Sequence, residues 1–208
     1  MVLREKYLHN PCGTLSIPYW KAKRMQIPLG MCIVHDCDFS PEKYEGYEDT
    51  RYFRIFNLLS DDTTISSADI CFSTVEVTEL ETLAGVINAC YEDLHMFCKQ
   101  LVSYTKQPVY APDLWIWACD RMSGEKMGCG LADYDAEIGE LSLEWIQVLP
   151  QFRRRGVGEA IVREILRRRP AGARFATVSG KVDDKNCPEA LYRKCGFLGD
   201  DVWHVLRK

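Results

Sequence analysis

Hydrophobic and polar positions fall into two regimes along the chain. Through about residue 68, apolar residues are interrupted by prolines and aromatics and no long helical period develops; from Asp69 onward the pattern becomes regular. The run Thr50 to Leu59, TRYFRIFNLL, is rich in strand formers, and the polar stretch Asp61 to Ser67 reads as a connector. We therefore place a boundary there, with residues 1–68 as a separate amino-terminal layer or lobe and 69–208 as the main domain.

Within the main domain, DICFSTVEV from Asp69 alternates as a strand should. Thr78 and Glu81 then read as a capping box ahead of Leu80, Leu83, Ala84, Ile87, Cys90, Tyr91, Leu94, Cys98 and Leu101, whose spacing predicts one long core-facing helix. Asp113 to Asp120 and Met127 to Asp135 read as a hairpin across the polar turn Arg121 to Lys126. Trp115 and Trp117 on its first strand suit a core more readily than a pocket lining. Leu141 to Leu149 is a third strand stopped by Pro150, followed by a helix over about Gly156 to Arg168, a strand Phe175 to Ser179, a short helix after Pro188 and a closing strand near Val202 to Leu206.

Composition narrows the class. The chain has 208 residues, 47% hydrophobic and 27% charged, which suits a globular protein of one large domain or one domain with an extension. A formal net charge of -4 gives no general attraction to nucleic acid or anionic membrane, and the arginine clusters at Arg153 to Arg155 and Arg167 to Arg169 lack interleaved aromatics. The amino terminus lacks the apolar core of a signal peptide and no stretch approaches a membrane span, so the expected location is the cytoplasm. Ten scattered cysteines read as reduced thiols. The one group with metal-ligand character, His9, Cys12, Cys32, His35 and Cys37, lacks the tight pairs of structural zinc sites, and Cys32 to Val34 reads as a strand; no metal is expected.

The chemistry concentrates after the third strand, at Arg153-Arg154-Arg155-Gly156-Val157-Gly158. Strand, glycine loop and helix together form an anion-binding arrangement. The first helical turn offers backbone N–H groups and the positive end of the dipole, glycines let phosphate oxygens approach, and arginines add charge-assisted hydrogen bonds. A dinucleotide fingerprint would need glycine where Ile161 stands, and a triphosphate loop would need lysine and a hydroxyl residue where Glu159-Ala160 stand.

The R-x-x-G-x-G motif after a strand resembles the pyrophosphate-binding motif of the GNAT superfamily of acyl-CoA-dependent N-acetyltransferases. A second segment, Asn186-Cys187-Pro188-Glu189-Ala190-Leu191-Tyr192-Arg193-Lys194-Cys195-Gly196-Phe197, is similar to the family's asparagine-to-L-Y-x-x-x-G-F segment. The resemblance covers about residues 69–208. It implies an α+β fold: a mixed, mostly antiparallel sheet splayed at its centre between the strands at 141–149 and 175–179, flanked by helices, with pantetheine in the opening.

For acetyl-CoA as acyl donor, the resemblance implies that backbone amides from Arg153, Arg154, Arg155, Gly156, Val157 and Gly158 hold the pyrophosphate. Ile146, Gln147 and Val148 would bond the pantetheine arm as an added strand would, and Asn186 and Tyr192 would also contact the cofactor. Tyr192 is the implied general acid for the departing thiolate. For the base, Glu140, Ser142, Glu144, Ile146 and Val148 share one strand face if no bulge intervenes, and Glu144 is the candidate. The expected reaction is direct transfer of acetyl to a primary amine, of a small molecule or peptide, in a ternary complex; the alternative is a non-catalytic acyl-CoA sensor. Residues 1–68 are expected either to cover the acceptor end, through Tyr19 and Trp20, or to form the contact of a homodimer.

Overall fold

A computed structural model describes residues 2–59, 69–91 and 94–208. Its strands are β1 (Met31–His35), β2 (Glu48–Asn57), β3 (Ile70–Thr74), β4 (Tyr110–Asp120), β5 (Lys126–Asp135), β6 (Glu140–Val148), β7 (Phe175–Lys181) and β8 (Leu198–Arg207). Its helices are α1 (Arg4–His9), α2 (Pro11–Thr14), α3 (Tyr19–Ala22), α4 (Leu80–Asn88), α5 (Cys98–Tyr104), α6 (Val157–Arg167) and α7 (Pro188–Lys194). The protein is α+β with mostly antiparallel strand pairing, as expected. Among the described residues no helix is long and apolar enough to cross a membrane. The expected connector at 61–67 lies outside the described residues.

The chain forms two compact units, Met1–Leu58 with Phe175–Lys208, and Leu59–Arg174. In the first, strands run in the order β1, β8, β2, β7. The strands of the amino-terminal segment thus hydrogen-bond to strands from the end of the chain. Arg54 of β2, almost fully buried, reinforces this by donating to Ser179 Oγ at 3.0 Å, Thr177 Oγ1 at 3.3 Å and the Tyr7 hydroxyl of α1 at 3.0 Å. His204 of β8 is similarly buried, within 2.8 Å of Asp49 Oδ2 and 3.1 Å of Asp36 Oδ1, and stacked on Phe39.

In the second unit, β3, β4, β5 and β6 form an antiparallel meander. One face carries α4 and α5 over a core of Leu83, Ile87, Leu101, Trp115, Trp117, Cys129 and Leu131. Trp115 and Trp117 are therefore core residues, about 2% and 1% exposed, and Trp117 donates its indole N–H to Glu79 at 3.0 Å. The opposite face carries α6. There a side chain on Gly130 of β5 would begin 2.4 Å from Ile161 and 2.8 Å from Ile165, so only glycine lets the helix sit this close.

The long helix expected through Leu101 is two helices. Asn88 ends the first by bonding both backbone groups of Met96, donating to its carbonyl at 2.9 Å and accepting from its N–H at 2.6 Å. The capping box is formed by Glu76 and Glu79 around a 3-10 turn, Val77–Glu79, rather than by Thr78 and Glu81. Tertiary partners select it, since Glu79 also receives Trp117 and pairs with Lys126 at 3.0 Å.

Helix α6 is amphipathic but buries one carboxylate, Glu164, which binds Arg167 at 2.8 Å and Arg168 at 2.7 Å. Burial works to raise its pKa, but hydrogen bonds and charge from the two arginines prevail and hold it below the ordinary 4.5. A lowered folded pKa adds stability above the unfolded value that is lost as pH falls through the folded one. Glu164→Gln is expected to lower unfolding free energy by about 1–3 kcal/mol at neutral pH. Denaturant melts at a series of pH values should show this difference shrinking as pH falls below 4.5; a pH-independent difference would assign the effect to packing instead.

Candidate functional site

The loop between β6 and α6 is shaped by its backbone. A 3-10 turn at Pro150–Phe152 leads into extended Arg153, and Arg154 (φ 62°) and Gly156 (φ 80°) are both left-handed. Glycine accepts that conformation without strain, whereas a Cβ at Arg154 makes it unfavourable by about 1–2 kcal/mol. Gly156 is the N-cap of α6, and no side chain caps the helix. The first intrahelical bond runs from the Ala160 N–H to the Gly156 carbonyl at 3.0 Å, so the N–H groups of Val157, Gly158 and Glu159 precede it at the positive end of the dipole. The Glu159 carboxylate lies along the helix on Arg163, at 2.9 Å, and the space beside Gly156 is open.

The three arginines have separate positions. Arg153 is turned into the protein: its Nε donates to the Val148 carbonyl at the end of β6 and its Nη2 to the Cys90 carbonyl after α4, both at 3.2 Å. It braces the loop from beneath. Arg154 and Arg155 are exposed, and the Arg155 guanidinium lies 5.4 Å from the centre of the Phe152 ring. The sequence alone does not separate an inward brace from two outward cations.

Strand β6 departs from the expected alternation. Leu131 of β5 pairs with Trp145 and Ala132 with Leu143, so Glu144 is the extra residue of a β-bulge. The bulge corrects the expected shared face. Glu140 and Ser142 now lie on the face of Trp145 and Gln147, while Ile146 and Val148 lie opposite, on the α6 side. Gln147 is nearly buried and donates from Nε2 to the Tyr91 hydroxyl at 2.8 Å. Glu144 itself is half-buried at the step in the strand.

Asn186 and Tyr192 belong to the other unit. Asn186 is exposed in the turn before α7, its N–H bonded to Asp184 Oδ1 at 2.7 Å. Tyr192 on α7 is 7% exposed, with its ring centre 5.7 Å from Phe197 and 6.2 Å from Phe53. Among the described residues no group of three or more histidine, cysteine or carboxylate side chains could hold a metal ion.

Residues 112–198, running from β4 through the loop, α6, β7 and α7, match the family model for the acetyltransferase (GNAT) domain. Over those residues the chain is similar to the GNAT superfamily. Solved GNAT structures share its fold. A GCN5-related N-acetyltransferase from Sphaerobacter thermophilus aligns at TM-score 0.71 and 20% identity, covering 86% of this chain and 58% of that one. One from Kribbella flavida aligns at TM-score 0.52 and 18% identity, covering 86% and 60%. Ard1 from Thermoplasma volcanium aligns at TM-score 0.54 and 13% identity, covering 67% and 97%. The chain thus spans less than two thirds of the length of the first two. No curated protein matches it.

The different settings of the arginines predict different losses. Arg153→Ala removes two hydrogen bonds from a charged donor and is expected to lower stability by about 1–3 kcal/mol. Arg154→Ala, at an exposed position with the same backbone requirement, should stay within about 0.5 kcal/mol of the native protein. Chemical denaturation of the two variants checks this, and equal losses would contradict the brace.

Proposed function

We propose that the protein is an N-acetyltransferase that moves the acetyl group of acetyl-CoA to a primary amine by direct transfer in a ternary complex. The observation that carries this reading is the open amino terminus of α6 behind two left-handed loop positions, within a matched GNAT domain. Backbone N–H groups of Val157, Gly158 and Glu159 suit a pyrophosphate, because they donate fixed hydrogen bonds without a desolvated counter-charge of their own. Arg154 and Arg155 add a screened positive field from outside. Ile146 to Val148, beyond the bulge, supply strand backbone for the pantetheine amides.

In the reaction the amine nitrogen forms a bond to the thioester carbonyl carbon and the carbon–sulfur bond breaks. The ammonium must first lose a proton, the nitrogen loses a second as the amide forms, and the departing thiolate gains one. Glu144 is the proposed base, directly or through water. Its position as the bulge residue supports that role, because bulges re-aim a side chain out of the regular alternation. Tyr192 is the proposed acid, on the strength of the motif from Asn186 to Phe197.

Two substitutions separate binding from chemistry. Gly158→Val places a branched side chain in the first turn of α6 and is expected to abolish acetyl-CoA binding in titration calorimetry while the fold remains intact; undiminished affinity would misplace the cradle. Tyr192→Phe is expected to lower turnover by roughly a hundredfold or more with nearly unchanged acetyl-CoA affinity. Loss of thermal stability with full turnover would leave it as a packing residue and solvent as the proton donor. The turnover measurement needs an acceptor, found by screening amine classes for acetyl-CoA-dependent release of free thiol. Binding without release to any amine would favour an acyl-CoA sensor.

A further inference from the structure

Two of the ten cysteines stand directly opposite each other on neighbouring strands. Cys71 of β3 is the register partner of Cys119 of β4, and both are half-buried free thiols. The kind of pair follows from the ladder. The Val75 N–H donates to its partner Trp115 at 2.8 Å, and the Arg121 N–H donates to Asp69 at 2.9 Å. Hydrogen-bonded pairs recur every second residue in an antiparallel ladder, so Cys71 and Cys119 form one too. Such pairs have Cα atoms about 5.5 Å apart, inside the roughly 4.4–6.8 Å range that a disulfide spans.

The side-chain direction agrees. Val75, Trp115 and Trp117 point into the core beneath α4, and the period of two places Cys71 and Cys119 on that same face, where Cys119 packs against the core. Cys71 Sγ lies 3.6 Å from the Cys119 carbonyl oxygen, which brings the first thiol over the second residue's backbone. We propose that Cys71 and Cys119 are a redox pair that closes into a cross-strand disulfide when the protein meets a low-molecular-weight disulfide.

The chemistry is two successive thiol–disulfide exchanges. The Cys71 thiolate attacks one sulfur of the oxidant, forming a mixed disulfide and releasing one thiolate. The Cys119 thiolate then attacks the Cys71 sulfur and releases the second, so the two protein thiols lose two electrons and two protons and the oxidant is reduced to two thiols. Burial and the neighbouring Cys71 push the Cys119 thiol up, against the pull of Lys126, so the first attack is assigned to Cys71 and Cys119 attacks only once the mixed disulfide holds a sulfur beside it. The bond ties β3, the terminal strand of the meander, to β4 and closes the chain segment that contains α4 and α5.

The full chain is incubated with glutathione disulfide, acid-quenched, alkylated and digested without reductant for peptide mass mapping. A peptide linking Cys71 to Cys119 is expected as the main oxidised form of both residues. It should be lost on adding dithiothreitol and in Cys71→Ser, while Cys119→Ser should retain glutathione on Cys71. The thermal midpoint of the native chain should rise on oxidation, a shift absent from Cys71→Ser. Alkylation of both thiols, while the exposed Cys37 and Cys187 carry glutathione, would overturn the proposal, as would linkage of Cys119 to any other cysteine. Neither reading of the native chain depends on a variant that folds.

Discussion

The close seating of α6 on Gly130 is the constraint on which the candidate site depends. With no side chain at that point of β5, Ile161 and Ile165 reach the sheet, and the helix axis is set by its own buried stripe of Val157, Ala160, Ile161, Val162, Ile165 and Leu166. Once the axis is set, so is the place where its first N–H groups emerge. Arg153 completes the arrangement by tying the loop to the end of β6 and to the turn after α4. The donors are therefore in place before any ligand arrives, which removes an ordering cost from binding.

Function on this account is divided between backbone and side chain. Anion recognition rests on amides whose positions follow from helix geometry, so the residue types at Val157 and Glu159 matter less than the absence of a cap and the glycine at 156. Proton transfer rests on side chains, for which sequence position is a weaker guide. The bulge at Glu144 shows why: one extra residue reverses the facing of everything beyond it.

The elements of the chain's second half were legible because their signals are local. The hairpin β4–β5, the stop at Pro150 and the glycine loop each announce themselves within a few residues. What was not legible depends on contacts distant in sequence. Nothing in the run of β2 says that it pairs with β7 and β8, because strand partners carry no pairing label at that separation. The break between α4 and α5 needs the Asn88 side chain to find the Met96 backbone, and the inward turn of Arg153 needs the Cys90 carbonyl in place. A helical period and a run of three arginines contain neither fact.

The central claim is that the first-turn amides of α6 receive the pyrophosphate of acetyl-CoA. Backbone amide resonances followed by NMR during a titration with acetyl-CoA test it most directly. The account predicts that Val157, Gly158 and Glu159 show the largest shifts in the chain and that inorganic pyrophosphate shifts the same three more weakly. Saturable binding of acetyl-CoA that leaves these three resonances in place would contradict it.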